Sequence, residues 1–160
     1  MTPSELLLRE VIDDDLPIFF EQQLDPAASY MAAFTAKDPH DREAFMAKWA
    51  RIRLDENILI RTILYEGQVA GWVLSYVSEI GLEVSYWVGR EYWGKGIATQ
   101  ALIEFLQIQK QRPIYARAAK DNLASLRVQE KCGFKVTGED KGFANARGME
   151  IEEYTLCLEL

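Results

Sequence analysis

The sequence predicts a mixed α/β (α+β) domain built on a largely antiparallel sheet. Two observations carry this reading. Seven stretches rich in β-branched and apolar residues are bounded by turn residues, and some alternate in character at period two. Four other stretches place apolar residues at spacings of three and four, the helical period. The order is a strand, two helices, three strands, a helix, a strand, a helix and two strands, which suits a layered sheet flanked by helices. The length of 160 residues fits one domain over 1–160, large enough to bury a core without a metal or disulfide staple.

Leu6 to Val11 reads as the first strand. Asp13-Asp14-Asp15 reads as a helix start, because a carboxylate cap accepts unpaired N–H groups and suits the positive helix end. That helix runs through Phe19, Phe20, Glu21 and Gln22 and stops before Pro26, since the residue before proline avoids the helical region. Pro26 to Pro39 carries no clear period. Asp41 caps the next helix, in which Phe45, Trp49 and Ile52 form an amphipathic stripe.

Ile58 to Tyr65 and Gln68 to Val77 read as a hairpin about Glu66-Gly67. Leu82 to Val88 is the next strand. Leu82, Val84, Tyr86 and Val88 take one face, with Glu83, Ser85 and Trp87 on the other. Ile97, Ala98, Ala101, Leu102, Phe105 and Leu106 mark a helix that ends by Pro113. Ile114 to Ala118 is a short strand. Asn122 to Lys131 is a helix, closed by Cys132 and a left-handed Gly133. Phe134 to Thr137 and Ile151 to Leu158 complete the sheet.

The formal charge is −7, from 18 basic and 25 acidic residues. This argues against nucleic acid as a partner, because duplex binding needs several cationic phosphate contacts. It is compatible with a cationic substrate such as an amine. No apolar run approaches the ~20 residues of a membrane helix, and nothing near Leu6-Leu7-Leu8 reads as a signal peptide. The expectation is a cytoplasmic protein, with Cys132 and Cys157 as reduced thiols. One histidine, His40, and two distant cysteines make no zinc site.

The segment Gly89-Arg90-Glu91-Tyr92-Trp93-Gly94-Lys95-Gly96 links a strand to a helix. Such a turn cradles phosphate: the helix start offers unpaired N–H donors and a positive dipole, and glycine admits close approach. Gly89 to Lys95 matches the first seven positions of a nucleotide-triphosphate loop, but Gly96 stands where Ser or Thr must bind magnesium. A dinucleotide G-x-G-x-x-G also fails, at Thr99. A second segment, Asn122 to Phe134, opens a helix with Asn and places Ser125 three residues later on the same first turn. Asn122 suits a helix cap, a ligand contact, or both.

On these two segments the chain resembles the GCN5-related N-acetyltransferase (GNAT) superfamily, in a branch similar to the ribosomal-protein N-terminal acetyltransferases. The family pyrophosphate motif is Gln/Arg-x-x-Gly-x-Gly/Ala. Trp93, Gly96 and Ala98 occupy its fixed positions, with Trp93 a departure at the first. The second motif, N-x-x-S followed by E-K-x-G-F, is met by Asn122, Ser125, Glu130, Lys131, Gly133 and Phe134. The element order also fits, so the resemblance spans the chain.

The resemblance implies a twisted sheet splayed at the cofactor site, and acetyl transfer from acetyl-CoA to a primary amine by direct attack in a ternary complex. Gly94, Lys95, Gly96, Ile97, Ala98 and Thr99 would hold the pyrophosphate, with Trp93, Asn122 and Lys131 contributing. Trp87 and Val88 would bind the pantetheine arm through main-chain groups, an N–H near Val88 polarising the thioester carbonyl. Ser125 maps to the position that hydrogen-bonds the thiolate, and Glu83 is the leading base, with Glu79 a weaker substitute. Glu150, Glu152 and Glu153, or an acidic residue of the 25–40 loop, are candidates for amine recognition. Phe143 and Arg147 are expected to be exposed. The acceptor is an amine-bearing small molecule or a peptide N-terminus, and the protein a monomer or homodimer. The competing class is an acetyl-CoA-binding sensor without significant turnover. No metal is implied, and Cys132, beside a helix-closing glycine, reads as structural rather than as an acyl carrier.

Overall fold

A computed structural model of the chain describes residues 5–159. Seven strands form one sheet in the order β1-β2-β3-β4-β5-β7-β6. They are β1 (Leu6–Arg9), β2 (Leu59–Tyr65), β3 (Gln68–Ser78), β4 (Gly81–Val88), β5 (Ile114–Ala119), β6 (Lys135–Ala144) and β7 (Met149–Leu158). Five helices flank it: α1 (Asp15–Gln23), α2 (Pro26–Ala32), α3 (Arg42–Leu54), α4 (Ile97–Ile108) and α5 (Leu123–Lys131). Every neighbouring pair is antiparallel except β4 and β5, which run parallel and meet only at Glu83 and Tyr115.

The alternation read from β4 holds. Leu82, Val84, Tyr86 and Val88 join the main core with Val73 of β3, Leu102 and Phe105 of α4, Ile114 of β5 and Leu126 of α5. No register shift interrupts the β3–β4 ladder, so Glu83, Ser85 and Trp87 share the opposite face. That second face is covered by aromatic packing: the Phe19 and Trp49 rings lie 5.0 Å apart, and Trp49 meets Trp72 of β3 edge-on at 5.5 Å.

The helix starts divide. Asp41 caps α3 by accepting from Ala44 N–H, as its position predicts. Asp14 stands at the N-cap of α1 but makes no side-chain cap bond. The acidic triplet serves elsewhere: Asp15 is buried and accepts from Arg9 Nη1 at 2.7 Å, Arg9 Nη2 at 2.9 Å, Ile12 N–H at 3.0 Å and Thr62 Oγ1 at 2.7 Å. It locks the β1–α1 corner to β2. Residues 26–32, without a clear sequence period, form α2, started by Pro26 and capped by Asp25 accepting from Ala28 N–H. The strand after Gly133 continues well past Thr137, to Ala144, because it pairs with β7 along its length.

Candidate active site

The opening between β4 and β5 is the centre of the site. Gly89 N–H donates to the Ala70 carbonyl at 2.8 Å. Along an antiparallel ladder the bonded residues alternate, so Trp87 points its main-chain groups into β3, opposite Trp72. Tyr86 and Val88 then turn theirs the other way, toward β5. The Val88 carbonyl confirms this, because it accepts from the Trp93 indole at 2.9 Å rather than from a strand. The pair expected to offer main-chain groups in the opening, Trp87 and Val88, is therefore corrected by parity to Tyr86 and Val88. Trp87 instead buries its indole Nε1, which has no hydrogen-bond partner among the described residues.

The loop beyond Val88 turns through a short 3-10 segment, Arg90–Tyr92, before α4 begins. Gly94 and Gly96 hold φ values of 77° and 73°, a region that an L side chain rarely adopts. A Cβ at either would meet no atom within 4 Å, so the loop faces open space. Among the described residues the N–H groups of Gly94 through Thr99 find no backbone acceptor, and the first closing bond is Gln100 N–H to Gly96 O at 3.1 Å. Ile97, 2% exposed, roots the helix start in the core. Lys95 and Trp93 are exposed, and Ala98 and Thr99 are half-buried. Unpaired donors, a positive helix end and a free cation suit a pyrophosphate.

Ser125 lies in the first turn of α5, half-buried. Asn122 caps that helix by accepting from Ser125 N–H at 3.2 Å, and its Nδ2 donates to the Met31 carbonyl of α2 at 3.2 Å. Tyr86 Oη lies 2.8 Å from Ser125 Oγ. At the other end of α5, Cys132 Sγ reaches the Thr99 carbonyl at 3.7 Å. Lys131, the preceding residue, is exposed. Burial raises the Cys132 thiol above its ordinary pKa, which suits an inert thiol.

On the opposite face of β4, Glu83 is 4% exposed. Its Oε1 pairs with Arg117 Nε at 3.0 Å, while its Oε2 has no hydrogen bond of sound geometry. Arg117 also meets Glu153 at 3.0 Å, Glu79 at 3.0 Å and Asp140 at 3.4 Å. Four carboxylates thus surround one guanidinium. Desolvation pushes Glu153 above the ordinary carboxylate value, although Arg117 opposes it. The Tyr76 phenol is pushed up to about 12, first by burial and then by the Glu83 charge beside it.

Of the other acidic candidates, Glu152 pairs with Lys120 at 2.6 Å and Glu150 with Lys141 at 3.8 Å, both at the surface. Phe143 is exposed as expected. Arg147 is not: its side chain is 6% exposed, paired with Asp121 at 2.6 Å and stacked 4.0 Å above the Tyr30 ring. It clasps the β6–β7 turn to α2. Sequence reading missed Arg117, Tyr76, Tyr86 and Gln129. Only Gln129 carried a signal, since it stands four residues after Ser125 on the same helix face.

Among the described residues no group of three or more His, Cys, Asp or Glu side chains could hold a metal ion, and no helix is long and apolar enough to cross a membrane. Residues 5–135 match the family model described as an acetyltransferase (GNAT) domain. The putative ribosomal N-acetyltransferase YdaF of Bacillus subtilis (strain 168) is 29% identical over 128 residues, covering 72% of this chain and 69% of that protein. Among solved structures, a ribosomal-protein-alanine N-acetyltransferase from Brucella melitensis superposes with a TM-score of 0.80 at 23% identity, covering 96% of this chain and 99% of that one. A spermidine N-acetyltransferase from Vibrio cholerae, solved with CoA and spermine, superposes with a TM-score of 0.82 at 17% identity, covering 96% and 95%.

Proposed function

Because the chain belongs to the GNAT acetyltransferase family, we propose that it moves the acetyl group of acetyl-CoA to a primary amine by direct attack in a ternary complex. The observation that carries this reading is the junction of two empty-handed donor sets. The N–H groups of Gly94 to Thr99 and the outward main chain of Tyr86 and Val88 lie on one continuous path along the β4 edge. The first set suits a pyrophosphate and the second suits an extended amide-bearing arm. Trp93 joins them, because its indole holds the Val88 carbonyl. Lys95 and Lys131 add positive charge beside the loop, and Asn122 sets the first turn of α5.

When bound, acetyl-CoA supplies an activated acyl group and a good leaving thiol. The protein has three tasks. Val88 N–H, turned into the opening, is the proposed donor that stabilises negative charge on the thioester oxygen. Ser125 Oγ, half-buried, is the proposed hydrogen-bond partner of the departing sulfur. Glu83 is the proposed proton acceptor: Arg117 fixes its Oε1, leaving Oε2 as the basic atom. An attacking lysine-type amine has pKa about 10.4 and an α-amine about 8, so either must shed a proton before attack. The amine nitrogen then bonds to the acetyl carbon, the C–S bond breaks with its electron pair leaving on sulfur, and the nitrogen gives up its second proton to Glu83 Oε2, which has passed the first to solvent.

Four carboxylates about Arg117 favour an acceptor that arrives as a cation. The test is thiol release from acetyl-CoA in the presence of peptide N-termini, polyamines and amino acids, with the acetylated product identified by mass. Release with at least one primary amine is expected. Tight coenzyme binding with no release across the panel would replace this reading with that of a sensor.

A further inference from the structure

Ser125 is part of a half-buried hydroxyl pair. Tyr86 Oη lies 2.8 Å from Ser125 Oγ, and one turn along α5 the Gln129 amide addresses both. Gln129 Nε2 donates to Tyr86 Oη at 3.3 Å, to Ser125 Oγ at 3.3 Å and to the Arg117 carbonyl at 3.2 Å. Gln129 is 2% exposed, so water does not compete for these bonds. An amide has two N–H bonds. One serves the Arg117 carbonyl, and the second lies between the two hydroxyl oxygens.

A phenol, with pKa about 10, is a far stronger acid than an aliphatic alcohol. The Ser125 carbonyl also lies within reach of Tyr86 Oη, but at 3.4 Å against 2.8 Å for Ser125 Oγ, so the phenol donates to the nearer hydroxyl and the serine accepts. Ser125 Oγ then receives from both Tyr86 and Gln129, and among the described residues its own O–H has no other acceptor. That hydrogen is free to point into the opening between β4 and β5. Burial keeps the Tyr86 phenol protonated, above its ordinary value, so the donor persists across the working pH range.

We propose that Tyr86 is a positioning residue for acetyl transfer: by donating to Ser125 Oγ it aims the serine proton at the departing sulfur. The proposal rests on the acetyl-transfer reading of the same site. No proton need change owner. A thiolate of pKa about 8.5 is a weaker base than a phenolate or an alkoxide, so it is stabilised by a hydrogen bond and leaves as the anion.

A double-mutant cycle over Tyr86→Phe, Ser125→Ala and the double variant tests this. Tyr86→Phe is expected to lower kcat roughly tenfold with the KM for acetyl-CoA within about twofold. In the Ser125→Ala background it is expected to have no further effect, because Tyr86 acts only through that hydroxyl. Equal factors in both backgrounds would mark a merely structural tyrosine and overturn the proposal. A second readout needs no acceptor amine: the thiol of bound CoA is titrated by its thiolate ultraviolet absorbance. The wild type is expected to hold that thiol below its free pKa of about 8.5, with Tyr86→Phe raising it back toward that value. Replacement of Tyr86 by 3-fluorotyrosine, a better donor of nearly the same size, is expected to lower it further. A bound thiol indifferent to both changes refutes the proposal. Absence of turnover in the wild type, with the thiol titration still responding, would instead refute the acetyl-transfer reading and leave the Tyr86 assignment standing.

Discussion

Arg117 Nε lies 3.0 Å from Glu83 Oε1, beside the one point at which β4 and β5 still pair. The ion pair therefore spans the hinge of the opening. It orients the carboxylate beside the Tyr76 phenol and leaves Oε2, among the described residues, with no hydrogen bond of sound geometry. Glu83→Gln keeps the shape and removes the basic oxygen. We expect kcat/KM for the amine to fall about 10²-fold, at the lower end of what general base catalysis contributes. Coenzyme affinity, measured by calorimetry, is expected to stay within about twofold, because Glu83 lies on the face opposite Tyr86. A kcat/KM unchanged across the pH range would remove Glu83 from the mechanism.

Arg117 also has a structural duty. Arg117→Met would leave Glu83 and Glu153 buried with no cation between them. Removing one partner of a buried ion pair costs about 3–5 kcal/mol, and we expect a loss near the lower figure because Arg117 keeps some contact with solvent. The pH dependence has a definite sign. Glu153 already binds its proton more tightly folded than unfolded, so its contribution to stability falls as pH rises above the usual carboxylate value of 4.5. Without Arg117 that fall steepens. Urea unfolding at pH 5 and pH 8 is expected to show a larger deficit for Arg117→Met at pH 8. An equal deficit at both values would mean that the carboxylates are not what the arginine restrains.

Asp15 gives the opposite sign. Burial alone would push it up, but the hydrogen bonds from Arg9, Ile12 N–H and Thr62 more than offset this and hold it below its ordinary 3.8. A lowered folded-state pKa contributes stability that is present above about pH 4 and lost as pH falls through the folded value. Asp15→Asn is expected to cost roughly 2–4 kcal/mol at neutral pH, with the difference from wild type shrinking as acid is added below pH 4. Acid titrations of both proteins, followed by tryptophan fluorescence, measure this. Parallel acid limbs would show that Asp15 is not a source of the acid sensitivity.

The chain announces its scaffold more clearly than its chemistry, and particular residues show why. Alternation along Leu82 to Val88 is a local property, so it gave the correct faces for Glu83 and Tyr86. Asp25-Pro26 is also a local start signal for α2, hidden only because the following Ala-Ala-Ser-Tyr-Met-Ala has little apolar period. Arg117 is different. Its partners Glu79, Glu83, Asp140 and Glu153 come from four separate segments, and they converge only once β7 inserts between β5 and β6. Tyr86 and Ser125 are 39 positions apart and meet across the opening. The polar turn around Arg147 predicts an exposed side chain, yet the Tyr30 face and Asp121 bury it. Strand order and long-range packing decide such contacts, and neither is written in a local period.

Cys132 tests the absence of an acyl-enzyme. Its thiol is half-buried, faces the Thr99 carbonyl and is pushed up by burial, which makes thiolate scarce at neutral pH. Cys132→Ala is expected to retain turnover within about threefold, with an intersecting rather than parallel kinetic pattern for the two substrates. Abolished turnover with intact coenzyme binding would restore the covalent route.

The loop at residues 93–98 makes the last prediction. Gly94 and Gly96 both stand at positive φ with open space where a side chain would go. Alanine at Gly96 therefore meets no clash in the free protein and costs only the backbone strain, about 1–2 kcal/mol. The same methyl would occupy space that an approaching pyrophosphate needs, so its effect on binding should exceed its effect on folding. We expect Gly96→Ala to weaken CoA binding at least tenfold while the unfolding midpoint moves by only a few degrees. Lys95→Ala is expected to weaken CoA by a smaller factor that disappears at high salt, since its charge is exposed and screened. A Gly96→Ala protein that binds dephosphorylated pantetheine as wild type does, yet loses CoA, would assign the defect to the pyrophosphate. Equal loss of both ligands would mean that the loop had moved the β4 edge through Trp93 and Val88, and the cradle would have to be sought elsewhere.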